Sequence, residues 1–419
     1  MRVTDRTQVS ELSKIRPLGA LEHLFWLIDQ ERSMHLAMAA EISCTISLAD
    51  WMKALYLVQL RHPMLAVRIE ARPRGLPWLC RTHRPIPLRA VEASDGSWEA
   101  VVGHELATPF DPSAAPLVRA VLIKGDDRCV LVLVAHHSVA DGLSLVYIIR
   151  DMLRAFGTVP LDVLPMLPCP DDLLALAGAQ IPEGSEMPAG APSGPGGTFR
   201  HKDRAHPTIE SRRLGPAHTA RIRDRARMEG ASLHGALCAA VATAGRRLSS
   251  DWRGIPLRFL SPADARPIMD VKDDCGLFVG AATVVLQPDP ISFWDAARQA
   301  TVTARAGKTA AAVQGLLGTA EGVVSSGADH KSACDFAVNA FAREGFISNL
   351  GAVPVDLRCG TFKVDALWGP MLLAGFEGDQ SIGAVSLDGA LHLTHASYTP
   401  FPGLLAAVEQ TMANACRST

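Results

Sequence analysis

Hydrophobic positions in this chain fall into short continuous runs and into runs at helical spacing, and one junction between the two is especially clear. The run Cys129 to Ala135 is apolar and rich in Val and Leu, which predicts a buried strand. Apolar residues then recur at positions 143, 146, 149 and 153, which predicts an amphipathic helix. His136 and His137 lie between these elements, so two adjacent imidazoles are expected where the strand ends.

The rest of the pattern mixes helices and strands without an internal repeat. We predict helices at residues 18–27, 48–60, 98–106, 217–228, 233–248, 293–305, 310–327 and 403–416, and strands at 34–46, 64–69, 85–91, 117–123, 209–214, 255–260, 281–286, 346–350, 371–376, 381–387 and 391–396. Residues 160–207 are crowded with Pro and Gly, which indicates a linker or crossover. We therefore predict a first lobe at 1–160, a linker at 161–207 and a second lobe at 208–419.

Length and composition narrow the class of protein. A chain of 419 residues exceeds what one hydrophobic core usually serves, which favours two domains. A net charge of -2 argues weakly against nucleic acid or an anionic membrane as the main partner. No run approaches the length of a membrane span, and residues 1–19 have no apolar signal core. Nine cysteines without CxxC spacing predict reduced, mostly buried thiols and a cytoplasmic location.

The paired histidines, with Asp141 and Gly142 following, suit general base chemistry. A neutral imidazole can accept a proton from a hydroxyl, amine or thiol that attacks a carbonyl. Adjacent strand residues point to opposite faces, so only one of the two histidines is expected to face a given cavity. Asp141 would need a cation if it is buried, and Arg266 is the best candidate. Gly142 would permit a backbone angle that other residues resist.

Three other interpretations compete with a general base. The histidines could be ordinary core or surface residues beside a helix cap. A metal site formed by His136, His137 and Asp141 is less favoured, because adjacent histidines point apart and no HxH, HExxH or cysteine cluster accompanies them. A serine triad using Ser138 or Ser144 lacks the GxSxG turn.

The segment HHSVADG at 136–142 resembles the HHxxxDG signature of an acyltransferase superfamily. That superfamily includes nonribosomal peptide condensation domains, chloramphenicol acetyltransferase, phthiocerol dimycocerosyl transferases, plant acyltransferases and wax ester synthases. Other segments resemble it in the expected order: RHP at 61–63, PFD at 109–111 with PLVRA at 116–120, SPADARP at 261–267 and SNLG at 348–351. The DFGWG segment of the plant branch is absent from the sequence.

The resemblance implies an α+β fold of two chloramphenicol acetyltransferase-like lobes, each a mixed sheet flanked by helices, with a central channel. It implies that His137 is the general base and that His136, Gly142 and an Asp141–Arg266 ion pair are structural supports. Ser348 and Asn349 would line the channel or stabilise the oxyanion. The resemblance implies no metal, no bound cofactor and no covalent acyl-enzyme.

The resulting expectation is a cytoplasmic, free-standing acyltransferase of natural-product or lipid biosynthesis. The donor would be acyl-CoA or a phosphopantetheinyl carrier protein, and the acceptor a small molecule with a hydroxyl, which we favour, or an amine. Two alternatives stay open: a stand-alone condensation enzyme forming an amide or ester on carrier-bound substrates, and a non-catalytic condensation-like binding module. Alternating arginines at 221–227 indicate a solvated helix face, with contact to coenzyme A or phosphopantetheine phosphates as the alternative.

Overall fold

Two six-stranded sheets and one three-stranded sheet form the framework of the molecule. A computed structural model describes residues 14–417, apart from 44–45, 73–74, 112, 115, 126, 179–196, 202, 204 and 290–291. The N-terminal residues 1–13 and most of the Pro/Gly-rich part of the predicted linker therefore lie outside the described residues.

The first lobe is built around the apolar strand that ends in the histidine pair. Its elements, with a helix from the predicted linker, are β1 (Lys14–Pro17), α1 (Ala20–Asp29), β2 (His35–Ser43), α2 (Leu48–Arg61), β3 (Val67–Glu70), β4 (Trp78–Arg81), β5 (Leu88–Glu92), α3 (Trp98–Ala107), β6 (Val118–Lys124), β7 (Arg128–His136), α4 (Gly142–Phe156) and α5 (Pro170–Leu176). β7 lies between β2 and β6, antiparallel to both. Apolar side chains cover both of its faces, which explains its unbroken apolar run.

The second lobe contains the other large sheet and most of the remaining helices. The elements in this part of the chain are β8 (Thr208–Leu214), α6 (Pro216–Met228), α7 (Leu233–Leu248), β9 (Leu257–Asp264), β10 (Val279–Leu286), α8 (Phe293–Ala306), α9 (Ala310–Ser325), α10 (His330–Ala340), β11 (Gly345–Ala352), β12 (Arg358–Cys359), β13 (Phe362–Leu372), β14 (Gln380–Leu387), β15 (Ala390–Ser397) and α11 (Leu404–Ala415). The strand order is β10-β9-β11-β14-β15-β8, with β11 parallel to β9 and β14. Two mixed sheets flanked by helices confirm the predicted α+β class.

The second half of the chain also supplies part of the first lobe's sheet. β12 and β13 extend that sheet in the order β12-β13-β2-β7-β6-β5, and Leu367 pairs with Ala40 of β2. Residues 358–372 thus return to the first sheet, which the predicted boundary at residue 208 does not anticipate. Because β13 passes between the lobes, it brings Pro370 beside the start of α4.

Helices α1, α5, α9 and α10 pack together into an apolar cluster that includes Leu24, Leu173, Leu317 and Ala333. α5 lies inside the predicted linker, so the described part of that stretch, 161–178, contributes a helix to this cluster.

The buried cysteines are Cys80, Cys129, Cys238, Cys275 and Cys334, as the apolar surroundings of several cysteines suggested. None of the described helices is long and apolar enough to cross a membrane.

Candidate active site

His137 lies at the first position after β7, where the chain leaves the sheet. Its backbone N–H donates to the carbonyl of Met34 at 2.8 Å, which fixes the turn against β2. Nδ1 lies 2.8 Å from the carbonyl oxygen of Ala140. Since a carbonyl can only accept, Nδ1 carries the proton and Nε2 keeps its lone pair. The half-buried ring packs 5.1 Å from the ring of Phe25.

The imidazole of His137 lines a cavity of about 220 Å³ between the two lobes. Its mostly apolar walls include Phe25, Met34, Leu36, Leu143, Phe278 and Leu372. Burial among them lowers the pKa of His137 below its ordinary value of 6.5, so the ring is neutral near pH 7. A neutral ring with a fixed tautomer, in a largely apolar cavity, has the properties required of a general base.

His136 is fully buried and contacts a different set of residues. Its Nδ1 accepts the backbone N–H of Ser138 at 3.1 Å, and its Nε2 lies 3.3 Å from a carboxylate oxygen of Asp29. His35 Nε2 lies 3.0 Å from the other Asp29 oxygen, which also accepts the Met34 N–H at 2.7 Å. Burial opposes ionisation of Asp29, but its contacts with His136 and His35 hold its pKa well below the usual range. His136 therefore braces the turn from inside the protein.

Asp141 and Arg266 form the expected ion pair, and both are almost completely buried. Arg266 Nη1 and Nη2 donate to the two Asp141 oxygens at 2.7 and 2.9 Å. Asp141 caps α4 by accepting the Ser144 N–H at 2.8 Å, and it accepts the Phe278 N–H at 3.1 Å. Burial opposes the charge on Arg266, but Asp141 raises the pKa of the guanidinium above its ordinary value. This pair joins the first lobe to the second beside the cavity.

The expected reason for Gly142 is wrong. Its backbone is not left-handed, and it begins helix α4. A Cβ at this position would lie 3.1 Å from Pro370 Cγ and 3.2 Å from Leu350 Cδ2. A Cβ here would be crowded by Pro370 of β13 and Leu350 of β11, which would have to shift by a few tenths of an ångström, and the first half of the sequence could not reveal this.

Ser348 and Asn349 lie on β11 and line the same cavity as His137. The Asn349 side-chain oxygen accepts the N–H of Gly351 at 2.8 Å, which leaves its amide NH₂ as a donor. The structure thus brings His137, Asp141, Gly142, Arg266, Ser348 and Asn349 to one cavity, while His136 lies behind it.

The two serines considered as nucleophiles are occupied in structural bonds. Ser138 Oγ donates to the carbonyl of Glu22 at 2.8 Å and is buried. Ser144 Oγ lies within 3.1 Å of Asp141, Arg266 and the backbone of Gly276. No group of three potential metal ligands occurs among the described residues. The arrangement supports base catalysis through His137 more than either of these alternatives.

The sequence analysis did not identify two buried carboxylates, those of Asp29 and Asp151, that support the site. Asp29 supports both His35 and His136, and its only signal was a carboxylate at the end of a predicted helix just before the strand. The RHP segment has a structural explanation: Arg61 and His62 bind the buried carboxylate of Asp151 at 2.7 and 3.0 Å. Asp151 lies on α4, so this network fixes α2 against the helix that follows the signature.

A larger cavity of about 630 Å³ adjoins the first one. Pro262, Lys308, Asn349 and Leu350 line both, so the two cavities meet beside β11. The larger cavity is lined by cationic side chains (Arg223, Arg305, Lys308 and Arg358) and by Asp356 and Asp388, of which Asp388 pairs with Arg358. The larger cavity is therefore a neighbour of the one that His137 lines.

Comparison with known proteins finds a family match in each half of the chain. Residues 26–160 match the condensation domain, and residues 203–292 match the C-terminus of phthiocerol/phthiodiolone dimycocerosyl transferase. A nonribosomal peptide synthetase, fso1 of Omphalotus olearius, is 28% identical over 165 residues. That match covers 37% of this chain and 4% of the synthetase, so it spans a small part of that protein's length.

Solved structures share the fold over nearly the whole chain. Polyketide synthase associated protein 5 from Mycobacterium tuberculosis superposes with a TM-score of 0.67 at 18% identity, covering 96% of this chain and 98% of that protein. The first condensation domain of the CDA synthetase gives a TM-score of 0.68 at 17% identity, covering 96% of each. These likenesses confirm the two-lobed fold, and with the family matches they confirm the resemblance drawn from the signature.

Proposed function

We propose that this chain, a member of the condensation-type acyltransferases by its family matches and fold, moves an acyl group from a thioester to a hydroxyl or amine. The acceptor attacks the thioester carbonyl directly while His137 Nε2 takes the proton of the attacking group. The thiolate leaves as the tetrahedral intermediate collapses, and the proton on Nε2 is available to it. No acyl group is attached to the protein in this scheme.

The observation that carries the proposal is the hydrogen bond from His137 Nδ1 to the carbonyl of Ala140. It assigns the lone pair to Nε2 and prevents the ring from turning. Desolvation lowers the pKa of His137, which keeps the base unprotonated near neutral pH. In an apolar cavity the developing oxyanion needs a donor, and the NH₂ group of Asn349 is our candidate.

We favour acyl-CoA or a phosphopantetheinyl carrier protein as the donor and a hydroxyl as the acceptor. The cationic wall formed by Arg223, Arg305 and Lys308 supports a donor that carries phosphate groups. The match of residues 203–292 to a transferase named for acylation of phthiocerol supports an alcohol acceptor. A biosynthetic role is supported by the peptide synthetase relatives.

The second candidate is condensation on carrier-bound substrates, which the match of residues 26–160 to condensation domains favours. It needs the same base but a carrier protein at both ends of the channel. A non-catalytic binding module stays as the third outcome, in which His137 would have no chemical role.

The test supplies purified protein with acyl-CoA and acyl-carrier donors and with pooled alcohol and amine acceptors. Free thiol reports thioester cleavage, and the intact mass of the acceptor separates transfer from hydrolysis. We expect His137→Ala to lower the transfer rate about 100-fold or more, the usual scale for a lost general base. The control is His83→Ala, which removes an exposed histidine. Equal rates for wild type and His137→Ala would refute the proposed base, and carrier binding without turnover would favour the binding module.

A further inference from the structure

Arg343 is a buried cation that lines the cavity containing His137. It lies just before β11, is 6% exposed, and is absent from the signature and its supporting segments. Its guanidinium carbon lies 5.4 Å from the ring centre of Phe346 and 4.5 Å from that of Phe376. Both rings also line the cavity, so aromatic side chains hold the guanidinium at the cavity wall.

The hydrogen bonds of Arg343 are few for a buried guanidinium. Nη2 donates to Asp379 at 3.1 Å, and Nη1 lies 3.4 Å from the carbonyl of Phe341. Nε has no acceptor among the described residues. Arg266 Nε likewise has no acceptor there, but the two Nη atoms of Arg266 make five contacts, with Asp141, Ser144, Asp264 and the carbonyl of Asp274. Arg343 therefore keeps donor capacity for a further anion.

Among the described residues, Asp379 is the carboxylate that pairs with Arg343, and it does so through one oxygen. The other Asp379 oxygen has no partner in the described part of the chain. Burial raises the pKa of Asp379, although Arg343 acts in the opposite direction. Protonation of Asp379 is thus easier than usual, which would leave the Arg343 charge available to another carboxylate.

Arg343 lies on a part of the cavity wall that is not shared with the larger cavity. Lys308 and Asn349 lie where the two cavities meet, whereas Arg343 lines only the inner cavity. His137 lines the same cavity, so one bound molecule can present its reacting group to His137 and a charged group to Arg343.

We propose that the substrate occupying the cavity beside Arg343 carries a carboxylate, and that Arg343 binds this carboxylate. A guanidinium matches a carboxylate through two parallel hydrogen bonds. A phosphate would bring a larger negative charge beside Asp379, so the monoanionic carboxylate fits this position better. The reaction in which the substrate takes part rests on the proposed function, but its binding does not.

The binding test uses octanoate, with octanamide as a neutral probe of the same length, titrated by calorimetry without any donor. We expect wild type to bind octanoate at least 10-fold more tightly than octanamide. Arg343→Gln should remove that preference while leaving octanamide binding unchanged, and Arg343→Lys should keep part of it. The matched control is Arg258→Gln, which removes a buried arginine paired with Glu344 that does not line the cavity.

Each outcome decides the proposal. Equal affinities of wild type for octanoate and octanamide would overturn it, whether or not the variants fold. A preference that survives in Arg343→Gln would also overturn it. A turnover arm then compares substrates with and without a terminal carboxylate. Arg343-dependent binding without turnover would leave the inference standing and the proposed function refuted, whereas turnover without any carboxylate preference would refute the inference alone.

Discussion

Removal of Arg266 should destabilise the protein, because it strands a buried carboxylate between the lobes. The Asp141–Arg266 pair has side-chain exposures of 5% and 3%, and it is bidentate. Breaking a buried pair by deleting one partner costs roughly 3 to 5 kcal/mol. Asp141 would keep three donors after Arg266→Ala: the N–H and hydroxyl of Ser144 and the N–H of Phe278. We therefore expect a loss near the lower limit, about 3 kcal/mol.

The expected change in melting temperature depends on how much of the chain unfolds together. Unfolding entropy is about 2.1 cal/mol/K per residue, so a lobe of about 200 residues gives about 0.4 kcal/mol/K. A loss of about 3 kcal/mol then lowers the melting temperature by about 7 °C, or about 3 °C if both lobes melt in one transition. Calorimetry measures the shift and shows which of these descriptions applies.

The control is Arg358→Ala, which removes an exposed pair in which Arg358 Nη2 donates to both oxygens of Asp388. Solvent screens that pair, so no resolvable shift is expected. Arg266→Ala should also cost less in an Asp141→Asn background, because the amide keeps the helix cap without leaving an unpaired charge. A melting temperature of Arg266→Ala within 1 °C of wild type would refute the reasoning.

Two further predictions concern pH. Burial lowers the pKa of His137 below 6.5, so the acid limb of kcat/KM should be centred below pH 6.5, and an acid limb centred above that pH would contradict this. Burial and the charge of Arg213 lower the pKa of His392 to about 4, below its unfolded value near 6.5. Its contribution to stability is thus complete above pH 6.5 and is lost as pH falls to 4, by roughly 3 kcal/mol. His392→Leu should melt with a weaker dependence on pH over that window, and an unchanged dependence would rule out this role.

Local sequence patterns predicted the elements around the histidines well, because both faces of β7 are buried and α4 begins at a capping aspartate. The run Cys129 to Ala135 became a strand, and the spacing after it became a helix with Asp141 at its N-cap. Arg266 could also be predicted as the partner of Asp141, since a buried carboxylate requires a cation. These features depend on local propensity or on simple electrostatics.

Features that depend on contacts between distant parts of the chain could not be predicted from the sequence. β13 joins the first sheet from the second half of the chain, and its side chains give no sign of which sheet they pair with. The crowding that a Cβ at position 142 would meet comes from Pro370 on that strand, 228 positions later, and from Leu350. Arg343 looked like an ordinary charged residue before a strand, because only folding places it between Phe346 and Phe376.

The geometry also separates the signature residues with a structural role from the one residue that can react. His136 contacts Asp29 and the backbone of Ser138, Asp141 holds Arg266 and caps α4, and Gly142 makes room for Pro370. These three residues would have the same structural roles in a non-catalytic protein with this fold. His137 differs, because its Nδ1 is bonded to the Ala140 carbonyl and its ring lines the cavity, which is the arrangement that the proposed base requires. Most residues of an intact signature therefore support the fold, and only His137 bears on catalysis. A substitution of His137 is thus the change that can test catalysis without disturbing the fold.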